Sequence, residues 1–149
     1  MPSVVVDDHL LRDILAGERP LDLGGIAPDG VATTGLWLFR LCSSLANPSV
    51  RGRLSAPVAG LSAAEQERFR AQLTMLPDDI VVLPMREVSW SMAELQHRHR
   101  AEGRNMSAAM VEALAAAHRL NAGIAVSTHD VGPNLRSAAQ TDGITFHIL

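Results

Sequence analysis

Three stretches of the chain combine residue types that can do chemistry. Val4-Val5-Val6 runs directly into Asp7-Asp8-His9, and Ile124-Ala125-Val126-Ser127 runs into Thr128-His129-Asp130. Carboxylates are the oxygen ligands that hard divalent cations take, usually a few per ion with water filling the rest. The third stretch is basic: His97-Arg98-His99-Arg100, with Arg104 close behind. Guanidinium groups suit phosphate contacts, so Arg98, Arg100 and Arg104 are candidates to contact phosphates, although such a run also reads as a solvated helix end. His97 and His99 are two apart, and on a helix such residues do not share a face, so they make no metal site. Cys42 has no adjacent His and there is no Lys, so it reads as a buried small hydrophobe and not a nucleophile. Gly24-Gly25 lacks the strand and helix that would frame a phosphate-binding loop.

The two acidic stretches matter only if the fold brings them together. Ser3–Val6 is a short β-branched run and predicts a buried strand. Asp8 is the expected N-cap of a short helix over Leu10–Leu15, stopped by Ala16-Gly17. Residues 20–30 carry many Gly and Pro and predict a loop. Val31–Thr34 is a brief strand or turn, and Thr34 caps a helix over Gly35–Ala46, with Pro48 beyond its end. Ser62-Ala-Ala-Glu65 is a capping box that opens a charged helix to about Leu76, closed by Pro77. Ile80–Leu83 is a second clear strand, and a helix follows from Ser89 to about Arg100. Ser107 caps an Ala-rich helix over Ala108–Leu120 that is apolar on most of its surface and therefore packed inside. Ile124–Ser127 is the third clear strand, Asn134–Gln140 a last short helix, and Ile144–Ile148 a final strand.

Strands alternating with helices predict an α/β fold, a three-layer α/β/α sandwich around a mostly parallel sheet. Ligands in such sheets sit beyond the carboxyl ends of strands, near the switch point. Asp7 and Asp130 each stand just past a strand, so they converge if those strands are neighbours.

Composition narrows the classes. At 149 residues the chain fits one domain, with no linker, repeat or low-complexity tract. Its 13 basic and 16 acidic residues leave a net charge of −3, against bulk electrostatic coating of nucleic acid. Every basic side chain apart from histidine is Arg, and with the Ala, Val and Gly content this reads as a GC-rich, bacterial genome. A single cysteine excludes an internal disulfide and any thiolate zinc site, and fits a reducing cytoplasm. No basic-then-apolar leader and no membrane-length apolar stretch is present, so a cytoplasmic location without a membrane partner is expected.

Val4-Val-Val-Asp-Asp-His-Leu-Leu-Arg12 resembles the opening of a response-regulator receiver domain, where paired acids hold Mg²⁺ beside a phosphorylatable Asp. That resemblance stops there: a receiver needs a late-strand Lys, and Ile80–Leu83 is followed by Pro84-Met85-Arg86 with no Asp. A second resemblance covers both ends of the chain. The apolar run, Asp7, two residues and Leu10, then Glu112-Ala-Leu-Ala-Ala-Ala-His-Arg-Leu-Asn-Ala-Gly123, then Ile124-Ala-Val-Ser-Thr128-His-Asp130, then Leu135-Arg-Ser-Ala-Ala139 and Asp142-Gly-Ile144, resemble in order and spacing a PIN domain, the fold of many bacterial toxin–antitoxin ribonucleases.

That resemblance implies a single PIN-like domain over 1–149. It implies a Mg²⁺- or Mn²⁺-dependent endoribonuclease of the toxin type, with Asp7, Glu112 and Asp130 as metal ligands and catalytic residues and Thr128 orienting a ligand or water. RNA, an antitoxin-like protein and a second copy of the chain are the implied partners. Four positions depart from the pattern. Arg40 stands where the family places a Glu, Glu112 replaces an Asp, His9 replaces a Ser, Thr or Asn, and the acid that often follows Thr-x-Asp is missing near Gly132 and Asn134. An arginine facing Mg²⁺ repels it, by about 4 kcal/mol for unit charges ~4 Å apart at an effective dielectric near 20. The alternative expectation is therefore a catalytically degenerate PIN-fold binding or dimerisation protein, in which Arg40 pairs with Asp7 or Asp130 and replaces the metal. Glu112 has its own bland reading, an exposed face shared with Arg119. Leu36, Trp37 and Phe39 read as core or a dimer face, and Trp90 and Met92 as packing.

Overall fold

The computed structural model describes residues 1–47 and 52–149; Pro48 lies outside them. The elements run β1 (Val4–Val6), α1 (Asp8–Leu15), β2 (Val31–Thr34), α2 (Gly35–Ala46), α3 (Ala56–Ala59), α4 (Ala63–Thr74), β3 (Ile80–Leu83), α5 (Met85–Ala101), α6 (Ala108–Leu120), β4 (Gly123–Val126), α7 (Pro133–Thr141) and β5 (Phe146–Ile148). Three helix starts have the capping chemistry expected from sequence. Thr34 Oγ1 accepts from the Trp37 amide at 3.2 Å, Ser107 Oγ from the Met110 amide at 3.3 Å, and Ser62 and Glu65 cap each other reciprocally. The expected helix at Ser89 begins earlier, directly after Pro84, which is preset for the entry to a helix. The short α3 was not expected.

The five strands form one wholly parallel sheet in the order β3-β2-β1-β4-β5. The chain winds from β1 out to β3, then returns to the other side of β1 to lay down β4 and β5. The switch point therefore lies between β1 and β4, whose register pairs Val5 with Ile124 and Val6 with Ala125.

Side chains alternate across the strands and build two cores, one on each face. Val5, Ala32, Ile124 and Val126 pack under α5, α6 and α7, with Val88, Leu95, Leu114, Leu135 and Ala138. Val4, Val6, Val31, Ile80 and Ala125 pack under α1 to α4, with Leu10, Leu11, Leu41, Val58 and Phe69. The result is the expected three-layer α/β/α sandwich. Helix α6 is the most deeply set: Ala109, Val111, Ala113 to Ala117 and Leu120 are all buried, because small alanines let it approach the sheet closely. Among the described residues no helix is long and apolar enough to cross a membrane.

Trp37 is buried in the core and Phe39 is 65% exposed on the other face of α2, each consistent with core or a dimer face. Trp90 and Cys42 depart from expectation. Trp90 is 78% exposed, whereas Met92 packs against the α5–α7 core. The reason is geometric: residues two apart on α5 point in different directions, so only one of the pair reaches the core. Cys42 is half-buried and not enclosed.

Candidate functional site

The carboxyl edge of the sheet at the switch point collects the acidic residues. Asp7 follows β1 directly and is 2% exposed. One oxygen, Oδ1, accepts from the Leu10 amide at 2.8 Å, which makes Asp7 the N-cap of α1. The other, Oδ2, accepts from the Ser127 amide at 2.9 Å, just past the end of β4. Asp7 thus staples the end of β1, the start of α1 and the end of β4. Burial pushes its carboxyl up to about 7 against those two hydrogen bonds, with the nearby charges of Asp8 and Asp130 adding to the rise.

The expected cap, Asp8, is instead the first helical residue. The correction has a simple cause, since α1 starts two residues earlier than its apolar periodicity suggested. Asp8 is fully buried; its Oδ1 accepts from the His9 amide at 2.9 Å, and its Oδ2 has no hydrogen-bond donor. Burial raises the Asp8 carboxyl above its ordinary range, and the Arg40 charge pulls it part of the way back.

Asp8, His9 and Asp130 each bring one ligand atom to a common spot, all within 4.8 Å of one another. His9 is 6% exposed, with its ring 5.9 Å from that of His129. Arg40 closes the spot from α2. Its Nε lies 3.3 Å from Asp8 Oδ2 and its Nη2 3.3 Å from Asp130 Oδ2, with the guanidinium about half exposed. Of the two expected partners, Asp7 or Asp130, the arginine reaches Asp130, and it pairs with Asp8 as well.

Glu112 is 1% exposed, which overturns a solvent face shared with Arg119; Arg119 is outside and faces Glu87 at 4.0 Å. Glu112 Oε1 accepts from the Leu36 amide at 2.8 Å, at the start of α2, while Oε2 is buried with no hydrogen-bond partner. It therefore belongs to the same carboxyl edge, beside the end of β2. Thr128 is exposed beyond β4, its amide bonded to the Leu149 carbonyl at 3.1 Å.

The basic cluster is elsewhere. Arg98 donates two bonds to Asp142, at 2.8 and 3.0 Å, and Arg104 pairs with Glu102 and donates to His99 Nδ1 at 2.9 Å. His99 is buried and its Nε2 meets Asp142 at 3.2 Å; His118 Nε2 meets the same carboxylate at 2.8 Å. These groups end α5, α6 and α7, at the amino end of the strands. Arg98 and Arg104 are thus committed to structural pairs on the far side of the sheet from the acids, and only Arg100 stands free among these candidates as an exposed side chain.

The residues at the switch point fit a divalent cation. A carboxylate oxygen of buried Asp8, one of Asp130 and a ring nitrogen of His9 lie within 4.8 Å of one another, which is a donor set cations take. What opposes a cation is Arg40.

No protein-family model matches the chain, and no curated protein matches it. Among solved structures, one of FitAB bound to an IR36 DNA fragment is similar over 97% of this chain and 94% of its own, with a TM-score of 0.61 at 15% identity. The crystal structure of FitAcB from Neisseria gonorrhoeae is similar over 97% of this chain and 96% of its own, with a TM-score of 0.56 at 15% identity. The likeness spans nearly all of each chain and carries the fold, the PIN-like sandwich read above.

Proposed function

We propose that this chain is a PIN-like ribonuclease that depends on a divalent cation and serves as the toxin-type member of a protein pair. The observation that carries the reading is the convergence of Asp8, His9 and Asp130 at the switch point, with Asp8 Oδ2 buried, making no hydrogen bond and faced only by the half-exposed Arg40 guanidinium. Asp8, His9 and Asp130 would hold the cation, with Glu112 Oε2 available on the same edge. The chemistry supplied on binding is polarisation of a phosphoryl oxygen and acidification of an attacking water.

The chain's own residues do the rest. Asp7 is a positioning residue, since its two backbone bonds fix the β1 and β4 ends that carry the ligands. Arg40, half exposed at the lip, can leave Asp8 and Asp130 and meet a phosphate, a contact for which guanidinium is suited. The chain's net charge of −3 gives it little bulk attraction for nucleic acid. A second protein supplying basic surface fits that deficit, and FitAB is itself bound to DNA.

The Arg40 ion pairs favour a second reading, in which the guanidinium holds the place of the cation and the chain is a binding or dimerisation module. Calorimetric titration of wild type, Asp8→Asn and Arg40→Ala with Mn²⁺ and Mg²⁺, alongside cleavage of single-stranded RNA, separates the two. The nuclease reading expects wild type to bind and cleave and Asp8→Asn to do neither while still folded. Binding by Arg40→Ala alone supports the second reading. Silence from both wild type and Arg40→Ala overturns a cation site altogether.

A further inference from the structure

The candidate site contains a nitrogen donor, and this changes which ion it should prefer. We infer that His9 is an inner ligand and that the site takes a first-row transition ion such as Mn²⁺, Co²⁺ or Zn²⁺ in preference to Mg²⁺. The inference rests on the cation-dependent reading above and specifies its ion.

The geometry supplies the first support. One ring nitrogen of His9 lies within 4.8 Å of a carboxylate oxygen of Asp8 and of Asp130, so a single ion can reach all three. Asp8 is fully buried and its Oδ2 makes no hydrogen bond; the charge facing it is the half-exposed Arg40 guanidinium, with Nε 3.3 Å away. A buried carboxylate oxygen held only by an ion pair at the lip is one that a bound cation can take over once the guanidinium moves aside.

The imidazole is also free to ligate. Arg12 Nη1 comes within 3.4 Å of His9 Nδ1, but its two hydrogens have closer acceptors in the carbonyls of Arg53 at 2.9 Å and Leu54 at 3.2 Å. The ring lone pair is therefore not committed to Arg12.

The preference follows from ligand chemistry. Mg²⁺ demands near-ideal octahedral oxygen coordination and gives up water reluctantly. Imidazole suits the borderline ions, and affinity at mixed nitrogen and oxygen sites rises along the series from Mn²⁺. One imidazole beside two carboxylates thus favours those ions.

Pulsed electron paramagnetic resonance of the Mn²⁺-loaded chain tests this, together with competitive calorimetry of Mn²⁺ and Co²⁺ against Mg²⁺. Both measurements are made on wild type, Arg40→Ala, His9→Asn, His9→Gln and His129→Asn. The expected result is ¹⁴N coupling in wild type that persists in His129→Asn and disappears in both His9 variants. The Mn²⁺-over-Mg²⁺ preference should fall by about tenfold or more on loss of His9, at least the effect seen when a metal's outer partners are removed. Mn²⁺ bound without ¹⁴N coupling, coupling lost in His129→Asn, or an unchanged preference in a folded His9 variant would overturn the inference and leave the cation-dependent reading intact. Failure of wild type and Arg40→Ala to bind any of the three ions would overturn both. If neither His9 variant folds, the wild-type and His129→Asn spectra decide alone.

Discussion

The sheet carries one buried polar cluster at each end, and they are opposites. At the amino end Asp142, 2% exposed at its side chain, accepts four hydrogen bonds from Arg98, His99 and His118. Burial alone would raise its carboxyl, but those donors outweigh it and hold the group far below the ordinary carboxylate range. At the carboxyl end Asp7 has two backbone donors and Asp8 one, and both carboxyls are raised by burial. Helix α6 reaches both clusters, with Glu112 in its first turns and His118 in its last. A fold that satisfies one buried carboxylate completely has the means to satisfy the other. The unsatisfied end is where a buried donor-poor carboxylate makes chemical sense, since such groups cluster at functional sites.

Substitution should break the symmetry between the two ends most sharply. Asp142→Asn strands Arg98 and the buried His99 without their anion, and should cost about 3–5 kcal/mol in urea unfolding. Asp8→Asn removes a charge that burial disfavours, and without added metal should change stability by no more than about 1 kcal/mol. Equal losses would mean that both ends are structural.

The pH dependence should differ in sign. The Asp142 carboxyl is lowered on folding, so its contribution is present above the unfolded value of about 3.8 and is lost as pH falls below it. Asp7 is raised to about 7, so its contribution is full below about 3.8 and is lost as pH rises towards 7, a decline of at most ~4 kcal/mol. In chelator, Asp142→Asn should lose the acid-side fall yet keep the decline between pH 4 and 7. Stability rising through that window in the variant would contradict the assignment.

The two ends also differed in how far they could be read from sequence. The carboxyl edge was legible because its residues follow strands directly: the β-branched run before Asp7 and the Ile-Ala-Val run before Thr128 mark both ends, and parallel topology makes them neighbours. What slipped was the helix start. Moving the cap from Asp8 to Asp7 turns each residue by about 100° around the helix axis, which makes Asp7 the carboxylate that staples the strand ends and brings Asp8 and His9 towards Asp130. The position of Arg40 among family acids predicts that it meets Asp7 or Asp130; it meets Asp130, and the same shift of the helix start gives it Asp8 at the end of β1. The amino-end cluster left no local signal. Arg98, His99, His118 and Asp142 come from three helices, and only the Arg98 to Arg104 run stood out, as surface charge. The hydrophobicity of Trp90 predicts packing but says nothing about which way its turn of α5 faces, and the side chain lies exposed.

Arg40→Ala sharpens the comparison from the open end. Its guanidinium is about half exposed, so the ion pairs are screened and their loss should cost less than about 1 kcal/mol in stability. Cation affinity should move further, with Mn²⁺ binding about tenfold tighter by calorimetry, because the repelling charge is gone and two carboxylates are released. An unchanged affinity would show that Arg40 swings clear of the acids at no cost.

The smallest expected effect is at the closed end. His118 is partly exposed and gives one of the four hydrogen bonds on Asp142, so His118→Ala should cost no more than about 1 kcal/mol. The remaining donors, Arg98 and buried His99, still hold the carboxylate ionised, so the acid-side fall in stability should keep its position with a smaller amplitude. Loss of the whole acid limb in His118→Ala would mean that this one histidine, and not the number of donors, makes the amino end different from the carboxyl end.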